Sequence, residues 1–341
     1  MITKLCPIDD GSLKEAAEIL KGGGVVGMPT ETVYGLAASA FDQEAVKSIF
    51  AAKGRPGDNP LIVHICREAD LYPLIRGEIT REQRMLMDAF WPGPMTLIFD
   101  KSDRVCPAVT AGLDTVAVRM PSHPGARALI RRSGLPLAAP SANLSGKPSP
   151  TTAQRTLEDM DGRIPLILDG GACQVGVEST VIDARHGVAH ILRPGGVTPD
   201  MVKAALVDVE LDKSLMRPLE KGEKAASPGM KYKHYAPKGD MTIYRGDRER
   251  VAKAICAAYD QWGDGALILC KTGDMALFGG RHCVDMGEST GDVARNLFDA
   301  LRDADDMGAR RIFATAVEET GVGLAVMNRM ARAAAFRIVD V

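Results

Sequence analysis

Four basic side chains stand at the ends of apolar segments. Lys53 and Arg55 lie in KGRPGDNPL, Arg119 closes DTVAVRMP, and Arg193 lies in ILRPGG. Around them in the chain fall Thr32 in PTETVYGL, Asn59, His64 inside the apolar run LIVHI, Thr115, and Ser179 in GVESTVID. Ser141 and Ser149 sit in APSANLSGKPSPT, a dense loop of small residues headed by Ala139. Guanidinium groups bind two oxygens at once, and the amides of such a loop can turn toward an anion. A pocket of this kind suits a polyanionic nucleotide together with a small polar ligand.

Each feature has a plainer reading beside the chemical one. Lys53 and Arg55 equally suit a helix C-terminus, where cations complement the dipole. A histidine in an apolar strand is usually a core residue, and APSANLSG is also an ordinary turn. Other chemistries lose support. GxxxxGK[ST], HExxH, GxSxG and EF-hand patterns are absent. GVGLAV (Gly321–Val326) follows a strand, but valine holds its third glycine position, which favours a tight turn over a dinucleotide site.

At 341 residues the chain exceeds the usual size of one domain. Its net charge is −2 and its pI about 6.3, so no global field draws it to nucleic acid or anionic lipid. No apolar run approaches the roughly 20 residues that span a bilayer, and the N-terminus lacks the order of a signal peptide. Seven dispersed cysteines without a CxxC pair argue against a zinc ribbon and suit a reducing compartment, so a cytoplasmic location is expected.

The elements that must position these residues alternate along the chain. SLKEAAEILK reads as a helix capped by Ser12, QEAVKSIFAAKG as a helix ending at Gly54, and REQRMLMDAFW and PGARALIRRSG as two more. VVGMPT, PLIVHI, MTLIFD, VAVRMP, LPLAAPSAN, PLILDGG, STVIDA and AHILRPGG read as strands leading into turns. In DTVAVRMP, alternation places Thr115, Ala117 and Arg119 on one face. An α/β domain with a twisted, mixed sheet is expected over 1–206. A polar, proline-bearing stretch over 207–239 reads as a linker. A smaller Rossmann-like domain with a parallel sheet is expected over 240–341.

PTETVYGL, KGRPGDNPL, VAVRMP, APSANLSG and GVESTV, in this order and spacing, resemble the YrdC-type threonylcarbamoyl-adenylate synthases over about Leu13 to Val197. SPGMKYKHYAP and the domain after it look like the long, two-domain form of that family. The resemblance implies a concave basic face and a reaction that joins L-threonine, bicarbonate and ATP into threonylcarbamoyl-AMP and pyrophosphate. A separate tRNA threonylcarbamoyl transferase would be the partner, direct tRNA contact would be weak, and magnesium would be held mainly by the phosphates.

By the same resemblance, Thr32, His64, Arg119 and Ser179 look like threonine contacts, with Ser141 at the junction of the two ligands. Lys53, Arg55, Asn59, Thr115, Ala139, Ser149 and Arg193 look like ATP contacts, Lys53 and Arg55 as the catalytic phosphate clamp. Tyr235, between the prolines of SPGMKYKHYAP, is expected to close over the nucleotide as part of a lid. Two rival classes remain: an RNA-binding module, disfavoured by the near-zero net charge, and a hydrogenase-maturation carbamoyltransferase, disfavoured by the missing CxxC modules.

Overall fold

A computed structural model describes residues 2–205, 208–212, 215 and 235–341. By its internal contacts the chain forms two units. Of the described residues, 2–145, 149–205, 208–212 and 215 belong to the first, and 146–148 and 235–341 to the second.

In the first unit, short apolar runs pair into one eleven-stranded mixed sheet. Its strands are β1 (Lys4–Pro7), β2 (Val26–Met28), β3 (Gly35–Ser39), β4 (Ile62–His64), β5 (Met95–Asp100), β6 (Thr115–Arg119), β7 (Leu137–Ala138), β8 (Leu166–Asp169), β9 (Thr180–Asp183), β10 (Ala189–Arg193) and β11 (Val209–Leu211). The spatial order is β1-β8-β2-β3-β7-β4-β6-β5-β9-β10-β11. The strands β1, β3 and β11 escaped the sequence pattern. GLAAS and VEL are too short or too small-sided to show alternation. The strand β11 lies inside the stretch read as linker and pairs parallel to β10. Most of the remainder of that stretch, including His234, lies outside the described residues.

The sheet has two chemically distinct faces, because successive residues of a strand point to opposite sides. Val63, Leu97, Phe99, Val116, Val118, Ile182 and Ile191 join the main buried core with Ile49 and Phe50 of the helix Gln43–Lys53. Their neighbours Ile62, Ile98, Ala117 and Val181 form a separate small apolar cluster with Leu192. The polar residues of β4, β5 and β6 alternate onto this second side.

The first helix starts earlier than its sequence suggests. It spans Asp10–Lys21, and its N-cap is Asp9, with Ser12 as the third helical residue of a reciprocal capping box: Ser12 N donates to Asp9 Oδ1 at 2.7 Å and Asp9 N to Ser12 Oγ at 3.0 Å. Asp and Ser are both good caps, so DDGS holds two candidate starts and packing selects the first. The helix Gln43–Lys53 ends at Gly54, whose φ of 62° completes a left-handed C-cap.

The second unit contains β12 (Asp240–Arg245), β13 (Ala266–Cys270), β14 (Cys283–Asp285), β15 (Arg311–Thr315) and β16 (Ile338–Asp340), all parallel, in the order β14-β13-β15-β12-β16. Helices Arg248–Trp262, Thr290–Asp306 and Gly323–Ala333 connect them, as expected of a Rossmann-like unit. In GVGLAV, a Cβ on Gly323 would lie 1.9 Å from Glu318 O, so glycine there serves close backbone packing.

Candidate active site

Hydrogen-bond register brings the polar residues of the first unit into one row. His64 of β4 pairs with Arg119 of β6, Arg119 with Thr96 of β5, Thr96 with Val181 of β9, and Val181 with Arg193 of β10. Directly paired residues share a face. A histidine, two arginines and a hydroxyl, from four of these five neighbouring strands, therefore project together beside the apolar cluster of Ile62, Ile98, Ala117 and Val181 of β9.

The loop between β2 and β3 closes one side of this row. Thr30 folds it: Thr32 N and Val33 N both donate to Thr30 Oγ1 at 3.2 Å, and that hydroxyl donates to Val33 O at 2.6 Å. The turn delivers Glu31 and Thr32 to Arg119. Arg119 Nη1 donates to Thr32 Oγ1 at 2.8 Å, and Nη2 lies 2.7 Å from Glu31 Oε1. Arg119 Nε donates to Gly93 O at 3.3 Å. Both charged side chains of this ion pair are about 5% exposed or less. Burial opposes the charge on Glu31, yet the Arg119 guanidinium and nearby backbone N–H groups outweigh it and hold the carboxyl below its ordinary value. No N–H points squarely at either Glu31 oxygen, and Arg119 Nη2 likewise lacks an aligned acceptor.

Ser179 closes the opposite side. Its hydroxyl lies 2.8 Å from Thr96 Oγ1 and accepts from Arg193 Nη2 at 3.1 Å. Arg193 Nε and Nη2 also donate to Ser179 O, at 3.1 and 2.9 Å. His64 is buried, with Nδ1 3.2 Å from Ile62 O. Burial, reinforced by the Arg119 charge, pushes its pKa down from 6.5 to about 3, so the imidazole is neutral.

A second group surrounds the small-residue loop. Lys53 is buried, and its ammonium donates to Ser141 O, to Asn143 O at 2.7 Å and to Asn143 Oδ1 at 3.5 Å. Burial and the neighbouring Arg55 charge lower its pKa well below 10.5. At the C-terminal end of the helix Gln43–Lys53, the Lys53 side chain turns inward as a tie across the loop. Ser141 Oγ donates to Asn143 Oδ1 at 2.6 Å. Arg55 is half-buried, with Nη2 donating to Asn59 O at 3.2 Å and its guanidinium 5.7 Å from the Phe50 ring centroid. Asn59 is fully buried, and among the described residues neither of its side-chain polar atoms meets a partner. Ser149 donates to Glu178 Oε1 at 2.8 Å, Thr115 is half-buried at the start of β6, and Ala139 N donates to Ile62 O at 2.9 Å.

Tyr235 belongs to the second unit. It is buried there, has a φ of 62°, and stacks on Phe298 with centroids 5.1 Å apart. Glu31, Thr96 and Glu178 are the residues that reading the sequence missed. Glu31 was visible as the carboxylate of PTETVYGL, whereas Thr96 is a single hydroxyl in an apolar strand and gave no signal. Among the described residues, no group of three or more His, Cys, Asp or Glu side chains is placed to hold a metal ion. No described helix is long and apolar enough to cross a membrane.

Comparison with known proteins adds three kinds of likeness. The Sua5/YciO/YrdC family, described as "Telomere recombination", matches residues 18–195, and the "Threonylcarbamoyl-AMP synthase, C-terminal domain" family matches 197–335. Threonylcarbamoyl-AMP synthases of Bacillus subtilis and Pyrococcus abyssi are 46% and 44% identical, over 99% and 98% of this chain and 97% of each relative. The Schizosaccharomyces pombe enzyme of that name is 38% identical over 95% of this chain and 88% of its own. The crystal structure of P. abyssi Sua5 complexed with L-threonine superposes with a TM-score of 0.93 at 43% identity, covering 100% of this chain and 99% of that one.

Proposed function

The chain belongs to the threonylcarbamoyl-AMP synthase family, and from that premise we propose how its own side chains divide the work. The enzyme performs nucleotidyl transfer to make threonylcarbamoyl-AMP for tRNA modification. Threonine's neutral amine bonds to the carbon of bicarbonate, whose C–O bond breaks to release one water, and gives a carbamate; a carbamate oxygen then attacks the α-phosphorus of ATP, and pyrophosphate leaves. Nothing in that sequence requires a protein nucleophile, so positioning and charge neutralisation carry the catalysis.

The observation that carries the assignment is the row His64–Arg119–Thr96, flanked by Thr32 and Ser179. It offers a guanidinium for a carboxylate, hydroxyls and a neutral imidazole for polar groups, and an apolar cluster beside them. Threonine has this composition: a carboxylate, a hydroxyl, an amine and one methyl. In this reading Thr32, His64, Arg119 and Ser179 hold threonine. Arg193, which already grips Ser179, faces the nucleotide and links the two ligands.

For ATP, Arg55 supplies charge to the phosphates. Asn59 supplies an amide that no protein group satisfies, and Thr115, Ser141, Ser149 and the backbone of Ala139 complete the lining. Lys53 acts through the loop it ties, fixing Ser141. Magnesium, which the described side chains offer no cage to hold, rides on phosphate oxygens and water in this reading. A separate transferase consumes the adenylate, with no strong direct hold on tRNA.

The test is pyrophosphate release from ATP, which should require both threonine and bicarbonate and should collapse in Arg119→Gln. Release that persists without threonine, or an Arg119→Gln enzyme with unchanged threonine KM, would refute the assignment.

A further inference from the structure

Glu31 is a buried charge of the pocket to which the division of work above gives no task. Glu31 is 4% exposed; among the described residues neither of its oxygens has an aligned donor, the backbone N–H groups of Glu31 and Ser122 act on it from nearby, and its ion-pair partner is Arg119 Nη2 at 2.7 Å. A buried carboxylate placed only to balance Arg119 would be expected to align on the guanidinium fork, as bidentate pairs do. Here Arg119 instead spends Nη1 on Thr32 and Nε on Gly93 O, leaving Nη2 beside the carboxylate without an aligned acceptor. Donor and acceptor thus stand next to each other as an ion pair that is close but not aligned.

We infer that Glu31 is a substrate-binding residue that receives the α-ammonium of threonine while Arg119 receives its α-carboxylate, so that the Glu31–Arg119 couple reads the zwitterion. The inference rests on the reading of this row as the threonine site. An α-amino acid carries its two charges on adjacent atoms, and the couple carries the opposite two charges at contact distance. Inserting the zwitterion replaces one ill-aligned ion pair with two aligned ones, and neither buried charge is left alone.

The carboxylate holds the ammonium and does not serve as its base. A carboxyl kept below its ordinary range accepts protons poorly. The proton that must leave before carbamate forms goes to bicarbonate or solvent. Glu31 also explains a selectivity that hydroxyl contacts cannot supply: hydroxy acids of the same shape lack the positive charge and would leave Glu31 buried and unpaired.

Binding isotherms for threonine and for 2,3-dihydroxybutanoate of matching configuration, in which a hydroxyl replaces the ammonium, provide the test. Wild-type enzyme should favour threonine by roughly 10- to 150-fold, the range of one charge-assisted contact. Equal affinity of the wild-type enzyme for the two ligands overturns the inference, with no variant required. Glu31→Gln should lose threonine affinity by a similar factor and lose the preference, while Glu31→Asp should keep part of it. A Glu31→Gln enzyme that weakens for both ligands alike, with the preference intact, also overturns it and leaves Glu31 a structural partner of Arg119. Arg119→Gln is the independent arm. If it binds threonine as wild type does, the reading of the whole row fails, whatever Glu31 does.

Discussion

Replacing Gly195 with alanine should damage threonine use without touching a substrate-facing side chain. A Cβ at position 195 would stand 2.3 Å from both Glu178 O and Thr180 N and 2.4 Å from Ser179 C, where ordinary contact begins near 3.4 Å. The obstacles are backbone atoms, which cannot rotate aside, so the segment around Ser179 must move by about 1 Å. Such a shift carries Ser179 Oγ out of hydrogen-bond range of Thr96, now at 2.8 Å, and of Arg193, now at 3.1 Å. One neutral and one charge-assisted bond together represent roughly 2–4 kcal/mol, or about 30- to 900-fold in kcat/KM for threonine. Overpacking should add about 1–3 kcal/mol of lost stability. Pyrophosphate release measured against threonine concentration, with Tm recorded alongside, separates the two effects. Gly196→Ala is the control, because its Cβ would meet the side chains of Pro94 and Val175 at 2.8 to 2.9 Å, away from Ser179. A Gly195→Ala enzyme whose kcat/KM for threonine stays within about threefold of wild type would refute the reasoning. So would a Gly196→Ala enzyme equally impaired toward threonine.

Other expectations follow from the same geometry. Asn59→Leu removes a buried amide with no partner, so the unliganded protein should hold or gain stability, by up to roughly 1–3 kcal/mol, while the KM for ATP rises at least about tenfold; a lower Tm with unchanged ATP KM would contradict this. Lys53→Met and Arg55→Ala should each slow pyrophosphate release by about tenfold or more, but the buried Lys53 tie should lower Tm as well, whereas half-buried Arg55 should not; the reverse pattern would show that Lys53 is not a tie. His64 is neutral in both folded and unfolded chains above pH 6.5 and has no effect on stability there. As pH falls below 6.5, the unfolded chain takes up a proton that the folded one refuses until about pH 3, so stability should decline by up to about 1.4 kcal/mol per pH unit across that window. His64→Gln should flatten that slope; an unchanged slope would place the titration elsewhere.

Much of this was legible in the chain itself, and what was not has identifiable causes. Alternation in DTVAVRMP places Thr115, Ala117 and Arg119 on one face, and Arg119 does emerge beside His64. Which strands become neighbours is another matter. That Thr96 would stand next to Arg119 depends on the pairing of β5 with β6, and no local pattern in MTLIFD announces it. Lys53 shows a different limit: the chain places it in the last turn of a helix, and only the tertiary course of Ser141–Asn143 brings three acceptors to it. Ser12 misled because capping chemistry is degenerate, with Asp9 three residues earlier able to play the same part. Periodicity reports what one element wants; register and loop course are settled by the others.

The row across β4, β6, β5, β9 and β10 has a kinetic consequence as well as a chemical one. Its members come from positions 64, 119, 96, 181 and 193, so no continuous stretch of chain contains a partial site. Contacts this distant in sequence form late, after the loops between them have closed. A slip of one residue in any of these strands would turn its contribution to the opposite side of the sheet. During refolding from denaturant, helical signal should therefore return well before threonine binding. Threonine binding should appear only in the slowest phase in which the central strands lock, with no weakly active intermediate before it.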